Sequence, residues 1–253
     1  MTGFGAVALS AAALFFASCS NLEIGADAAT WGDSERSEEV EERLANGPGA
    51  RILVIGDSVM WWNEESGRSV AQELAKALSR PVINLSVPGA RISHPDDNLA
   101  AEGLDIRAQY VPRNWNWVVV EGGANDLGDE CGCAQCETTL NEMITVDASA
   151  GEWVDLVDRI RTDGANIVVA GYYSLPSQDS EEVLAQCEGV IGELNARLER
   201  LAAKHRTVHF VSMSDAIDPA SLEDYDPDLI HPSPRGSRAI GGKIGAAIAA
   251  DGP

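Results

Sequence analysis

The sequence predicts an α/β domain, a parallel sheet covered by helices on both faces. Three observations predict it. Five short, mainly apolar runs rich in Val and Ile lie at 51–55, 82–85, 117–121, 167–171 and 208–211, as expected of strands buried on both sides. Helical patterns lie between them at 69–78, 151–162 and 181–204, with a last one at 237–249. Strand–helix alternation over such a length implies a parallel sheet. Finally, 253 residues, 45% hydrophobic and 23% charged, suit one sizeable globular domain.

Residues 1–19 stand apart from this domain. Phe4 to Ala17 is almost wholly apolar, too short to span a bilayer comfortably but matched to the core of a signal peptide. Ala17 and Ser18 then lead into Cys19. The segment resembles a bacterial lipobox, in which the cysteine is acylated and becomes the mature terminus. Phe16 stands where that pattern has Leu, and no Lys or Arg precedes the apolar run. The resemblance implies export, with the protein periplasmic or anchored to the membrane through a lipidated Cys19, and secreted if Cys19 is not acylated. Residues 20–50 are polar and acidic and close on Asn46-Gly-Pro-Gly49; they read as a tether or a short surface helix. The domain proper is assigned to 51–253.

Within the domain, the end of each strand carries the informative residues. The first strand runs into Gly56-Asp57-Ser58, and the second into Ser86-Val-Pro-Gly89. The third runs into Gly122-Gly-Ala-Asn125-Asp126, the fourth into Tyr172-Tyr173-Ser174, and the fifth leads to Asp226-Pro-Asp228-Leu-Ile-His231-Pro-Ser233. In the helix at 181–204, Val183, Cys187, Ile191, Leu194, Leu198 and Leu201 recur every three or four residues, giving one apolar stripe.

Charge and cysteine usage narrow the function. A net charge of −22 excludes nucleic acid as a main partner, because phosphate contacts need clustered Lys and Arg. Beyond Cys19 there remain Cys131, Cys133, Cys136 and Cys187, an even number that permits two disulfides in an oxidising compartment. Of the three pairings, the one joining Cys131 to Cys133 is least favoured, since neighbours two apart strain the bridge. The competing reading is a zinc site of four thiolates.

In open α/β sheets ligands bind beyond the carboxyl ends of the strands, so the segments after the strands should converge on one edge. Four of them resemble the signature blocks of the SGNH (GDSL-type) hydrolase family. Gly56-Asp57-Ser58 is similar to the nucleophile block and Gly89 to the block that donates an oxyanion N–H. Gly123-Ala124-Asn125-Asp126 is similar to the Gly-x-Asn-Asp block, and Asp228-Leu-Ile-His231 to the Asp-x-x-His block. The blocks arrive in the family's order over residues 56–231.

The resemblance implies a serine esterase with Ser58, His231 and Asp228 as triad and no cofactor or metal. The residues support that chemistry unaided. A serine hydroxyl needs a base to become nucleophilic, and imidazole has a suitable pKa. A carboxylate three residues before the histidine can fold back onto it. The N–H groups of Ser58 and Gly89 and the Asn125 amide would stabilise the oxyanion.

Trp61 and Trp62 are read as either acyl-pocket lining or core, and Tyr172 as a candidate substrate contact. Asp57 and Asp126 are read as structural. His94, His205 and His209 lack a comparable context. The expected architecture is a three-layer α/β/α sandwich on a five-stranded, flavodoxin-like parallel sheet. The expected substrate is a small-molecule or polymer-linked ester: a small acyl group on carbohydrate or envelope polymer, or a longer acyl chain as for a lipase, lysophospholipase or thioesterase. A non-catalytic envelope lipoprotein is the reading from another class.

Overall fold

Strands β1 (Ile52–Ile55), β2 (Val82–Asn84), β3 (Trp117–Val120), β4 (Asn166–Gly171) and β5 (Val208–Ser212) form one sheet in the order β2-β1-β3-β4-β5. The computed structural model describes residues 33–93, 102–176 and 186–252. The segment 1–19 with Cys19, residues 20–32, His94 and Val183 lie outside the described residues. Every neighbouring strand pair is parallel, and one rung of the register runs Asn84, Val54, Val119, Val168, His209. The order is the flavodoxin-like one, whose ligand crevice lies where the winding reverses, between β1 and β3. Ile52–Ile55 and Trp117–Val120 are buried along their whole length, which is why they read as continuous apolar runs.

Helices cover both faces. On one side α3 (Val70–Leu78) packs along α9 (Pro234–Asp251), and α9 also touches β4 and β5. The two helices approach closely because Gly241 lacks a side chain: a Cβ there would lie 2.7 Å from the Leu74 backbone nitrogen. On the other side lie α5 (Ala124–Cys131), α6 (Glu137–Met143), α7 (Glu152–Thr162) and α8 (Cys187–Ala203). Trp153, Leu156, Val157 and Ile160 bury the inner stripe of α7, and Leu194, Leu198 and Leu201 that of α8. The helices start where their caps dictate. Ser69 and Gln72 form a capping box at α3, while Ser233 caps α9 with Pro234 in its first turn. That cap starts α9 three residues before the sequence pattern at 237–249 does.

Part of the segment at 20–50 is ordered helix. α1 (Asp33–Asn46) lies against the β2 edge, where Arg36 donates to the Leu85 carbonyl and Arg43 to the Asn84 carbonyl, both at 2.9 Å. The cysteines pair Cys131 with Cys136 and Cys133 with Cys187, stitching the α5–α6 turn to the start of α8. All four sulfurs are thereby engaged in disulfides, and none is left as a thiolate for zinc.

Candidate active site

β1 leads into Gly56, where the chain passes so close to the neighbouring segment that a Cβ would meet Glu121 carbonyl and carboxylate oxygens at 2.9 Å each. Only glycine fits there. Asp57 then caps the short helix α2 (Ser58–Trp61), its Oδ1 accepting from Val59 N–H at 2.9 Å. The result is a serine at the first position of a helix, at the sheet's carboxyl edge.

His231 arrives 173 residues later, between β5 and α9, and its Nε2 lies 2.8 Å from Ser58 Oγ. Its Nδ1 is 2.5 Å from Asp228 Oδ2. The Asp228 Oδ1 accepts the backbone N–H groups of Ile230 and His231, each at 3.0 Å. This tight turn requires Leu229 at φ 59°, a left-handed conformation uncommon for leucine. Burial pushes the Asp228 carboxyl up, but the bonds from His231 and the two N–H groups outweigh it and hold the group below the usual carboxylate range.

The donors expected around an oxyanion sit on the β2 and β3 loops. Gly89 is exposed at φ 80°, and neither its N–H nor that of Ser58 has an acceptor among the described residues. Asn125, in the first turn of α5, donates from Nδ2 to Ala90 O at 2.9 Å and weakly to Asp57 Oδ2 at 3.4 Å. One amide hydrogen therefore fixes the Gly89 loop, and the other makes only a long contact with Asp57. Asp126 reinforces the same loop, accepting from Ile92 N, Ser93 N and Ser93 Oγ at 2.6–3.1 Å. Burial pushes this carboxyl up to about 6 against those bonds.

Tyr172 stands beneath the nucleophile's turn. It is 5% exposed, packed behind the nucleophile's turn, and its hydroxyl donates to Asp57 Oδ2 at 2.6 Å while accepting from Ala124 N–H at 3.0 Å. It thus ties the Ser58 turn to the Asn125 loop. Tyr173 donates to Ile230 O at 2.8 Å, just before His231. Of the two tryptophans, Trp62 lies flat on His231, with ring centroids 3.7 Å apart and planes 4° from parallel. Trp61 is half-buried in α2 with no ring partner among the described residues.

Sequence reasoning missed Glu121. Its carboxyl is fully buried beneath the turn; Oε2 accepts Asp57 N–H at 3.2 Å and Oε1 has no hydrogen-bond partner among the described residues. Burial, then the Asp57 charge, raises its pKa well above the ordinary range. The signal was present, since an acidic residue closing an otherwise apolar run is unusual in a buried strand.

Residues 54–239 match the GDSL-like Lipase/Acylhydrolase family. The chain belongs to this family. It is therefore an ester-hydrolysing enzyme of the SGNH/GDSL type, and the matched stretch holds Ser58, Gly89, Asn125, Asp228 and His231.

No curated protein matches the chain. Solved structures share the family fold at low identity. A GDSL-like lipase from Bacteroides thetaiotaomicron is 15% identical with a TM-score of 0.57, over 87% of this chain and 99% of that one. A carbohydrate acetylesterase from Sinorhizobium meliloti is 17% identical with a TM-score of 0.54, over 79% and 99%. An aryl esterase from M. smegmatis is 17% identical with a TM-score of 0.53, over 79% and 99%.

Proposed function

We propose that the enzyme hydrolyses carboxylic esters through an acyl-enzyme on Ser58. The observation that carries this reading is the hydrogen-bonded line from Asp228 through His231 to Ser58, with links of 2.5 and 2.8 Å. As Ser58 Oγ attacks the ester carbonyl carbon, His231 Nε2 takes its proton and then delivers it to the departing alcohol. A water molecule, deprotonated by the same nitrogen, attacks the acyl carbon and restores the Ser58 hydroxyl. Asp228 fixes the tautomer with Nδ1 protonated and stabilises the imidazolium. The N–H groups of Ser58 and Gly89 and the Asn125 amide receive the oxyanion, each donor worth about 3 kcal/mol.

The substrate class we favour is a small acyl group, such as acetyl, carried on a carbohydrate or envelope polymer. The likeness to a carbohydrate acetylesterase and an aryl esterase is consistent with it. We also infer export, supported by the signal-like apolar run before Cys19 and by two disulfides of the kind that persist in oxidising compartments. Ser58→Ala should abolish hydrolysis of p-nitrophenyl acetate with an unchanged circular dichroism spectrum; retained activity overturns the mechanism. In the unmodified enzyme, a series from acetyl to octanoyl and longer esters should decline in kcat/KM with length. A rise with length favours a lipase or thioesterase role instead.

A further inference from the structure

The short helix that carries Ser58 also carries the surface on which His231 lies. α2 ends at Trp61, and Trp62 leaves it with extended backbone, φ −51° and ψ 140°. Its indole covers one face of the imidazole, 3.7 Å between centroids and 4° from parallel. The next residue, Asn63, turns back at φ 68° and donates from Nδ2 to Pro232 O at 2.9 Å and to Ser237 Oγ at 3.2 Å. Trp62 and Asn63 thus clasp the His231-Pro232 segment from the nucleophile's own element. The other restraints on His231 act at its ring edges or through the backbone: Asp228 on Nδ1, Ser58 on Nε2, and Asp226 N–H on the carbonyl at 2.8 Å. Among the described residues, Trp62 makes the ring contact on an imidazole face.

That face matters at one moment in particular. Once Ser58 is acylated its Oγ no longer carries a proton to share with Nε2, and the ring must stay in place to activate water. In each half-reaction the ring also becomes a cation, and an indole face attracts a cation lying over it. An interaction stronger in the transition state than in the ground state accelerates the chemistry rather than the binding.

The geometry points to Trp62 as a positioning residue: its indole face holds the His231 ring in line with Asp228 and Ser58 and stabilises the imidazolium formed at each proton transfer. This rests on the acyl-enzyme reading given above. An apolar residue that merely filled space, or one that lined the acyl pocket, would behave differently.

The test compares Trp62→Phe, which keeps a flat aromatic face, with Trp62→Leu, which keeps apolar bulk without one. On p-nitrophenyl acetate, Trp62→Leu should lower kcat about tenfold, equivalent to about 1.4 kcal/mol, with KM unchanged. Trp62→Phe should recover most of that loss. Equal losses in the two variants, or a change in KM instead of kcat, overturn the proposal. If Trp62→Leu does not fold, site-specific fluorinated tryptophans at position 62 carry the test, because they weaken the face at nearly constant shape. A stepwise fall in kcat with added fluorine supports the assignment, and a flat series overturns it. Ser58→Ala measured alongside separates the two ideas. Activity retained there defeats the acyl-enzyme itself, whereas an inactive Ser58→Ala beside a fully active Trp62→Leu defeats only the role of Trp62.

Discussion

Replacing Tyr172 with Phe removes one oxygen from the base of the site, and its effect can be worked from two hydrogen bonds. The hydroxyl donates to Asp57 Oδ2 at 2.6 Å, and Asp57 is 2% exposed. A bond to a charged group in such a place contributes about 2 kcal/mol. The same hydroxyl accepts from Ala124 N–H at 3.0 Å, a donor at the start of α5 and only partly buried, whose loss adds about 1 kcal/mol. Together they come to about 3 kcal/mol, which for a domain of this size lowers Tm by about 6–12 °C. Thermal unfolding followed by circular dichroism measures it. Because the ring packs behind the Ser58 turn rather than facing solvent, KM for short esters should stay constant. Any loss should fall on kcat, through a looser Asn125. A Tm within about 2 °C of the parent combined with a raised KM would refute the reasoning and return Tyr172 to the substrate.

Two further outcomes are expected. The Asp126 carboxyl is raised by burial to about 6, so its contribution to stability is fully present below the unfolded value near 4 and is lost as pH rises through about 6. Relative to Asp126→Asn, the parent should therefore gain about 2 kcal/mol between pH 7 and pH 4, read from urea midpoints at both; a pH-independent difference refutes it. The intact mass of protein isolated from its host should show a chain beginning at an acylated Cys19 and two disulfides, visible as four hydrogens gained on reduction. A chain that keeps Met1 and free thiols would overturn export.

The strands and the order of the site were legible because each depends on local chemistry. Runs such as Ile52-Leu-Val-Ile55 could be buried only on both faces, and a parallel sheet then brings the segments after its strands to one edge. The short helices were less legible. α2 and α4 (Ile106–Gln109) are single turns and α5 and α6 about two, too brief for a 3.6-residue period to emerge. The roles of Trp62 and Tyr172 were not legible at all. Each is decided by a partner more than a hundred residues away, His231 for one and Asp57 for the other. Glu121 was visible as an acid closing an apolar strand, but its meaning depends on Asp57 lying directly above it.

Two local conflicts gather where Ser58 sits. β3 is apolar throughout, yet the residue that follows it is a carboxyl with no access to water and one oxygen without a partner among the described residues. The turn carrying Asp228 and His231 requires a leucine in a left-handed conformation. Such local conflicts are frustration in the landscape sense, and natural chains tolerate them mainly where function demands them. Selection for thermal resistance alone would therefore act on Glu121 and Leu229 early, replacing them with an apolar residue and a glycine. The variants it returned would be more stable molecules with a poorly seated nucleophile.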